Sequence, residues 1–368
     1  MRVILAGGGT GGHLYPGIAL AQNLPSGWRS LFLCTDRSFD ARELSAYGME
    51  HEPLLAPRLS AGLSLPFDLV KAVGRARARV RLFAPDLVVG LGGYGSFPTL
   101  AAARLEGVPY VLLEQNVLPG RANRLAARGA RRIYSQWAES RRHFVGLGDR
   151  FVHSGSPLRS GLERVPRGEA RRRLDLEGGG PVVGVLGGSQ GAESLNRLAV
   201  RELPSVPGVR ILHLAGPAAE AVRGAYRVAG ADARVVEFRR DMGTVYSACD
   251  LVISRAGALA IAELASLGCA AVLVPYPHAA SDHQALNARA LAKSGAAGVV
   301  DERTASGGAL AAWVRNLVRG DAVFDTMRRN ITSQARPHSA RDILRDCTSW
   351  LPTRGPAWRT WSESAASA

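Results

Sequence analysis

The chain has 368 residues, 46% of them hydrophobic, with a formal net charge of +15 and a pI of about 10.7. Such a length can bury two packed domains, and the absence of any run of about 18 uncharged apolar residues excludes a membrane-spanning helix. Cys34, Cys249, Cys269 and Cys347 form no CxxC pair and two sit in apolar surroundings, so buried thiols in a reducing compartment are expected, and the start MRVILAG has no signal-type core. Lysine occurs only at Lys71 and Lys293, so the positive charge is almost all arginine. It points to anionic partners (nucleic acid, acidic lipid or phosphorylated substrates) or to an arginine-coated surface.

In chain order, the first half offers strands at VILAG (3–7), SLFLCT (30–35), LVVGLG (87–92), YVLLE (110–114) and RIYSQ (132–136). The gaps suit helices, as over Ile18 to Asn23 and Pro98 to Leu105. The second half restarts the pattern with PVVGVLGGSQGAESLN (181–196), a strand, a glycine turn and a helix opening. RILHLAG (210–216), ARVVEF (233–238), LVISRAG (251–257) and AAVLVPY (270–276) follow as strands. Strand–helix repeats with glycine turns predict an α/β fold of two doubly wound, Rossmann-like domains, 1–157 and 158–337. A helix near 338–351 is expected to pack back on the first domain, and 352–368 to be a disordered tail. Two such domains facing across a cleft can hold two substrates face to face.

The stretch GGGTGGH contains Gly7-x-Gly9-x-x-Gly12, the dinucleotide-binding fingerprint by letter. Asp36 stands where the ribose-binding acid of a nicotinamide site would stand. Against that reading, His13 and Pro16 follow the turn at once, and the second half has its own turn, Gly187-Gly188-Ser189-Gln190-Gly191. An imidazole at a helix start, beside a glycine turn, can remove a proton from a hydroxyl. Further on, SRAGALAIAEL would present helix amides over Ala258, Leu259, Ala260, Ile261 and Ala262, with Glu263 placed to accept from a ribose diol. His278, His283, Gln284 and Asn287 offer groups for sugar hydroxyls, with His283 and Gln284 each about one turn before Asn287.

GGTGGHLYPG, GGYGSFP, EQNVLPGRANR, GGSQGAESLN, SRAGALAIAEL and HAASDHQALNA, in that order over roughly residues 1 to 345, resemble the MurG family. Its members are family-28 N-acetylglucosaminyltransferases that complete the lipid-linked peptidoglycan precursor. The resemblance implies a GT-B fold, UDP-N-acetylglucosamine held mainly by the second domain, and transfer with inversion to the 4-hydroxyl of lipid I. Carried over by motif, Thr10, Gly11 and Gly12 lie near the donor's sugar and diphosphate, and Asn116 near the transferred sugar. Arg159 and Ser189 meet the nucleotide or its diphosphate, the backbone at Arg239 frames the uracil, and Ala258 to Glu263 hold phosphate and ribose. Gln284 and Asn287 take sugar hydroxyls. The chain departs from the family at Ala256-Gly257-Ala258, where Ser-Gly-Ala is common, and at Arg239 and His283.

Inversion needs a base and charge stabilisation for the departing UDP. His13 is the expected base, with Glu114 and Tyr94 as rivals. No Asp-x-Asp motif offers to hold a metal, and no cofactor is expected. The lipid-linked acceptor requires a visit to the cytoplasmic face of the membrane. LPFDLVKAVGRARARVRLF (65–83) is the expected contact, with Phe67, Val70, Val73, Val80 and Phe83 near helical spacing and Lys71, Arg75 and Arg79 in a basic row beside Arg77 and Arg81. The helix is expected to pack inward while its arginines and the Leu63 to Phe67 loop touch anionic lipid. Partners among cell-wall synthesis and division proteins are a further expectation of the resemblance. The rival readings are another GT-B enzyme such as a UDP-N-acetylglucosamine 2-epimerase or a soluble glycosyltransferase, a nicotinamide oxidoreductase, and a nucleic-acid module, the last without a reading motif.

Overall fold

The computed structural model describes residues 1–55, 65–188, 191–279, 282–304 and 307–351. The chain divides into two compact units, Met1–Arg159 with the segment from Arg336 onward, and Ser160–Ala335. The first holds β1 (Arg2–Ala6), α1 (Gly11–Gln22), β2 (Arg29–Cys34), α2 (Ser38–Ala46), β3 (His51–Pro53) and α3 (Leu65–Phe83). It continues with β4 (Leu87–Gly90), α4 (Phe97–Leu105), β5 (Tyr110–Glu114), α5 (Arg121–Ala126), β6 (Arg132–Ser135) and β7 (Phe151–His153). Its sheet is parallel, in the order β3-β2-β1-β4-β5-β6-β7. The strands read as unbroken apolar runs because helices cover both sheet faces. Ile4, Leu31, Leu33, Val88, Leu100, Leu112 and Ile133 share one core with Ala76 and Val80 of α3.

The second unit holds α6 (Arg167–Arg172), β8 (Val182–Leu186), α7 (Glu193–Glu202), β9 (Arg210–Leu214), α8 (Ala219–Val228), β10 (Ala233–Val236) and α9 (Met242–Ala248). There follow β11 (Leu251–Ser254), α10 (Ala258–Ser266), β12 (Ala271–Leu273), α11 (His283–Lys293), β13 (Gly298–Val299), α12 (Ala309–Val318) and α13 (Val323–Ser333). The parallel order β10-β9-β8-β11-β12-β13 repeats the winding of the first sheet. In both sheets the strand order reverses beside the opening strand, between β1 and β4 and between β8 and β11. Doubly wound folds bind ligands at the strand carboxyl ends at such switch points.

α14 (Ser339–Trp350) belongs to the first unit. The Tyr134 hydroxyl of β6 donates to Asp346 Oδ2 at 2.5 Å, and Arg132 pairs with the same oxygen at 3.1 Å. The tail 352–368 and the residues Leu63 and Ser64 of the expected membrane loop lie outside the described residues.

α3 corrects one expectation. Ala72, Ala76 and Val80, at i, i+4 and i+8, are buried, while Phe67 and Val70 point outward at 64% and 70% exposure. Arg77 and Arg81 pair with Glu106, and Arg79 pairs with Glu52. Three of the five basic groups are thus matched by carboxylates of their own unit. The basic row shortens to Lys71, whose ammonium lies 4.3 Å from the Phe67 ring centroid, and the exposed Arg75, which makes no ion pair among the described residues.

Candidate active site

The first glycine turn joins β1 to α1 at the switch point. Gly7, Gly8 and Gly9 all have positive φ, at 131°, 154° and 86°. This backbone is held by an acid that sequence reasoning missed. Asp40 of α2, wholly buried, accepts from the Gly9 N–H at 2.8 and 2.9 Å, from the Thr35 N–H at 3.1 Å and from the Thr35 hydroxyl at 2.6 Å. A β-carbon on Gly8 would fall 2.2 Å from Asp40 Oδ2, so only glycine fits. Asp36, the expected ribose acid, is exposed. The acid that meets the turn, Asp40, is spent on the turn's own backbone.

Thr10 caps α1, yet its hydroxyl makes no bond to the helix amides. It stands 3.2 Å from His13 Nδ1 instead. The imidazole is half-buried and rests on the turn after β4, where Gly92 and Gly93 also have positive φ. Thr10, His13 and the Gly92–Gly93 turn therefore meet at the β1/β4 switch point. Gly11 and Gly12 occupy the first turn of α1, whose leading N–H groups have no intrahelical acceptor. Tyr94, half-buried, starts the short helical turn that follows.

Glu114, the carboxyl-terminal residue of β5, is 3% exposed. It accepts from the N–H of Asn116 at 2.9 Å, the N–H of Gly120 at 3.1 Å and Asn123 Nδ2 at 2.8 Å. Burial pushes its carboxyl up, against the pull of these donors. Its oxygens hold the 115–120 loop, so Glu114 is a scaffold rather than a rival base. Asn116 is half-buried on that loop, with its carbonyl accepting from Ser140 Oγ at 3.0 Å. Arg159, expected at the nucleotide, is 6% exposed, and its guanidinium lies 4.3 Å from the ring centroid of Tyr15. The Tyr15 hydroxyl in turn donates to Glu43 of α2 at 3.0 Å. The guanidinium thus packs on an aromatic face of α1 within its own unit.

In the second unit the turn after β8 includes Ser189 and Gln190, which lie outside the described residues. The helix behind it is tied down by a buried network. Asn196 Nδ2 donates to the Ala215 carbonyl at 3.0 Å, and His213 lies between Asn196 Oδ1 at 3.0 Å and the Tyr226 hydroxyl at 3.1 Å. Burial pushes His213 down to about 3. Beyond β11, Gly257 caps α10 without a side chain. Ala258, Leu259 and Ile261 are buried, which leaves them only backbone to offer, while Ala260 and Ala262 are half-buried. Glu263 is 5% exposed and accepts from the Tyr246 hydroxyl at 2.9 Å. Arg239 grips Asp241 through two bonds of 2.8 Å, which pushes the aspartate down.

Gln284 and Asn287 separate. Gln284 is half-buried, and its Oε1 accepts from the Tyr276 N–H at 3.0 Å. Asn287 is wholly buried, and its Nδ2 donates to the Ala256 carbonyl at 3.3 Å. The expectation that Asn287 takes a sugar hydroxyl is corrected: it pins α11 to the loop before α10 and has no surface left for a sugar.

Sequence reasoning also missed Arg255. It is 7% exposed and donates to the Val274 and Pro275 carbonyls at 3.1 and 3.3 Å and to Ser194 Oγ at 2.6 Å. It pairs with Glu302 at 3.0 Å, and burial pushes its guanidinium down. This cluster joins the carboxyl ends of β11 and β12 to the first turn of α7. Among the described residues, no cluster of three or more His, Cys, Asp and Glu is placed to hold a metal ion, and no helix is long and apolar enough to cross a membrane.

Residues 3–135 match the glycosyltransferase family 28 N-terminal domain, and residues 182–342 match the family's C-terminal domain. Fold and matches together define a GT-B glycosyltransferase. A UDP-N-acetylglucosamine--N-acetylmuramyl-(pentapeptide) pyrophosphoryl-undecaprenol N-acetylglucosamine transferase of Syntrophotalea carbinolica is 37% identical, over 94% of this chain and 98% of its own. One of the same name from Thermodesulfovibrio yellowstonii is 34% identical over 95% and 99%. The crystal structure of Acinetobacter baumannii MurG superposes with a TM-score of 0.76 at 29% identity, covering 93% of this chain and 98% of that one. A UDP-GlcNAc 2-epimerase of Neisseria meningitidis, at TM-score 0.68 and 11% identity over 95% and 100%, shares the fold alone. The chain belongs to the MurG family of N-acetylglucosaminyltransferases.

Proposed function

We infer that the protein transfers N-acetylglucosamine from UDP-N-acetylglucosamine to the lipid-linked N-acetylmuramyl-pentapeptide for which its relatives are named. The carrying observation is similarity along nearly the full length of both chains, with each half matching its own family-28 domain. In our reading the reaction inverts the anomeric carbon in one displacement, and His13 is the base. When Nδ1–H donates to the Thr10 hydroxyl, Nε2 carries the lone pair that takes the acceptor's proton. Thr10, Gly11, Gly12 and Asn116 border the transferred sugar. Leaving diphosphate charge falls on the α10 amides and on Ser189. Glu263 receives the ribose diol, the Arg239 backbone frames the uracil, and the Gln284 NH2 donates to a sugar hydroxyl.

We place the protein peripherally on the cytoplasmic face of the membrane, with Phe67, Val70, Lys71 and Arg75 toward anionic lipid. Outward apolar side chains beside unmatched cations are the features that hold a helix on such a surface. The test of the reaction is incubation with labelled UDP-N-acetylglucosamine, with and without a short-chain acceptor analogue. Label on the acceptor supports the reading. Turnover of the donor alone to its 2-epimer, with no labelled acceptor, overturns it.

A further inference from the structure

We propose that Asp40 is a positioning residue for transfer, acting through the first glycine turn on His13. This rests on the reading of His13 as the base. The Asp40 carboxylate is wholly buried and takes the Gly9 N–H on both oxygens, while Arg37 donates from its guanidinium to the Gly9 carbonyl at 2.8 Å. The residue ahead of Thr10 is thus clamped on its N–H and on its C=O by two side chains from the β2–α2 region. Thr35 completes the clamp by donating its hydroxyl and N–H to the same carboxylate.

The consequence runs through Thr10. Its conformation is extended, at φ −151° and ψ 155°, and its hydroxyl is turned to His13 Nδ1 at 3.2 Å rather than to the helix amides. That direction depends on the backbone of Gly8 and Gly9, both in positive-φ conformations that glycine leaves freely when nothing holds them. A buried carboxyl group with four donor contacts, two to the Gly9 N–H and two to Thr35, is a stiff anchor, because leaving any of these buried groups unpaired is costly. The ring also lies close over the Gly92–Gly93 turn, where a β-carbon on Gly92 would fall 2.9 Å from Cδ2. Asp40 therefore sets the partner of Nδ1, and through it the orientation and basicity of Nε2, without touching either substrate.

The experiment is steady-state transfer across pH 5.5–9 for Asp40→Asn, Arg37→Ala, His13→Ala and the Asp40→Asn/His13→Ala pair, with folding checked by circular dichroism. Asp40→Asn is expected to lower kcat at least about tenfold, leave the KM for UDP-N-acetylglucosamine within about twofold, and move the acidic limb of the kcat profile. Arg37→Ala is expected to move the same limb with a smaller loss, on the order of threefold. The pair is expected to lose no more than His13→Ala alone, because both changes act through one group. A folded Asp40→Asn enzyme with an unmoved limb, or a pair whose losses multiply, overturns the proposal. If Asp40→Asn does not fold, an unmoved limb in Arg37→Ala overturns it. Near-normal turnover by His13→Ala, in contrast, marks the failure of the base assignment itself.

Discussion

A β-carbon on Gly92 would stand 2.9 Å from Cδ2 of His13. The imidazole leans on bare backbone, and Gly92 has a φ of +93° that L side chains rarely adopt. Gly92→Ala must therefore displace the ring from its seat and strain the turn by about 1–3 kcal/mol. The expected result is a folded enzyme with at least about tenfold lower kcat and a slightly lowered melting temperature. Wild-type turnover in this variant would show that the ring's seat on Gly92 does not matter.

Asn287 and Gln284 share a helix but not a role. Asn287→Ala leaves the Ala256 carbonyl without its buried donor and should cost about 1–3 kcal/mol of stability. Its KM for the donor should stay within about twofold. Gln284→Ala should do the reverse, raising that KM about five- to tenfold with little change in melting temperature. Calorimetric melts beside donor titrations separate the two; a large KM effect in a fully stable Asn287→Ala enzyme would restore Asn287 to the sugar site.

His213 makes stability depend on pH. An unfolded chain's histidine titrates near about 6.5, whereas the folded one is pushed down to about 3 by burial. Between those values the unfolded chain binds a proton that the fold refuses. Stability from this group is thus complete above about pH 6.5 and falls as pH falls toward 3, by at most about 1.4 kcal/mol per unit. Melting temperatures at pH 7.5, 6.5 and 5.5 should drop more steeply for the wild type than for His213→Asn. Parallel slopes would contradict the assignment.

Membrane contact through α3 depends on Lys71 and Arg75, since Arg77, Arg79 and Arg81 already face carboxylates. Each basic residue near an anionic surface contributes about 1 kcal/mol. Lys71→Glu/Arg75→Glu should lower partitioning onto phosphatidylglycerol vesicles at least about tenfold at low salt, with transfer to a soluble acceptor analogue unchanged. Equal vesicle binding at low ionic strength would remove α3 from the membrane face.

The fold was legible where burial dictates composition. VILAG, LVVGLG, PVVGVL and LVISRAG read as strands because a parallel strand covered on both faces must be apolar throughout. The edge strands β3, β7 and β13, of three, three and two residues, are too short to carry a pattern. At the candidate site, the first glycine turn and the position of His13 at the start of α1 were legible, because glycines and helix starts announce backbone approach. Asp40 and Glu43 were not, because nothing in FDAREL distinguishes an acid that folds inward from one in water. One signal existed: a turn of glycines needs acceptors for its N–H groups, and the loop from β2 into α2 leaves the sheet beside it, since β2 is the parallel neighbour of β1. Asn287 misled for the opposite reason, since helical spacing gives a residue's face but not whether that face is covered. Arg255 was invisible because its partner, Glu302, is distant in sequence and beside it only in the fold.

The most direct measurement of the central claim is the pH–rate profile of His13→Ala with a short-chain acceptor and saturating UDP-N-acetylglucosamine. The account predicts a kcat lower by about 10²–10⁴, as for loss of a general base, and loss of the acidic limb that His13 as base predicts for the wild type. Near-normal turnover with that limb intact would contradict it.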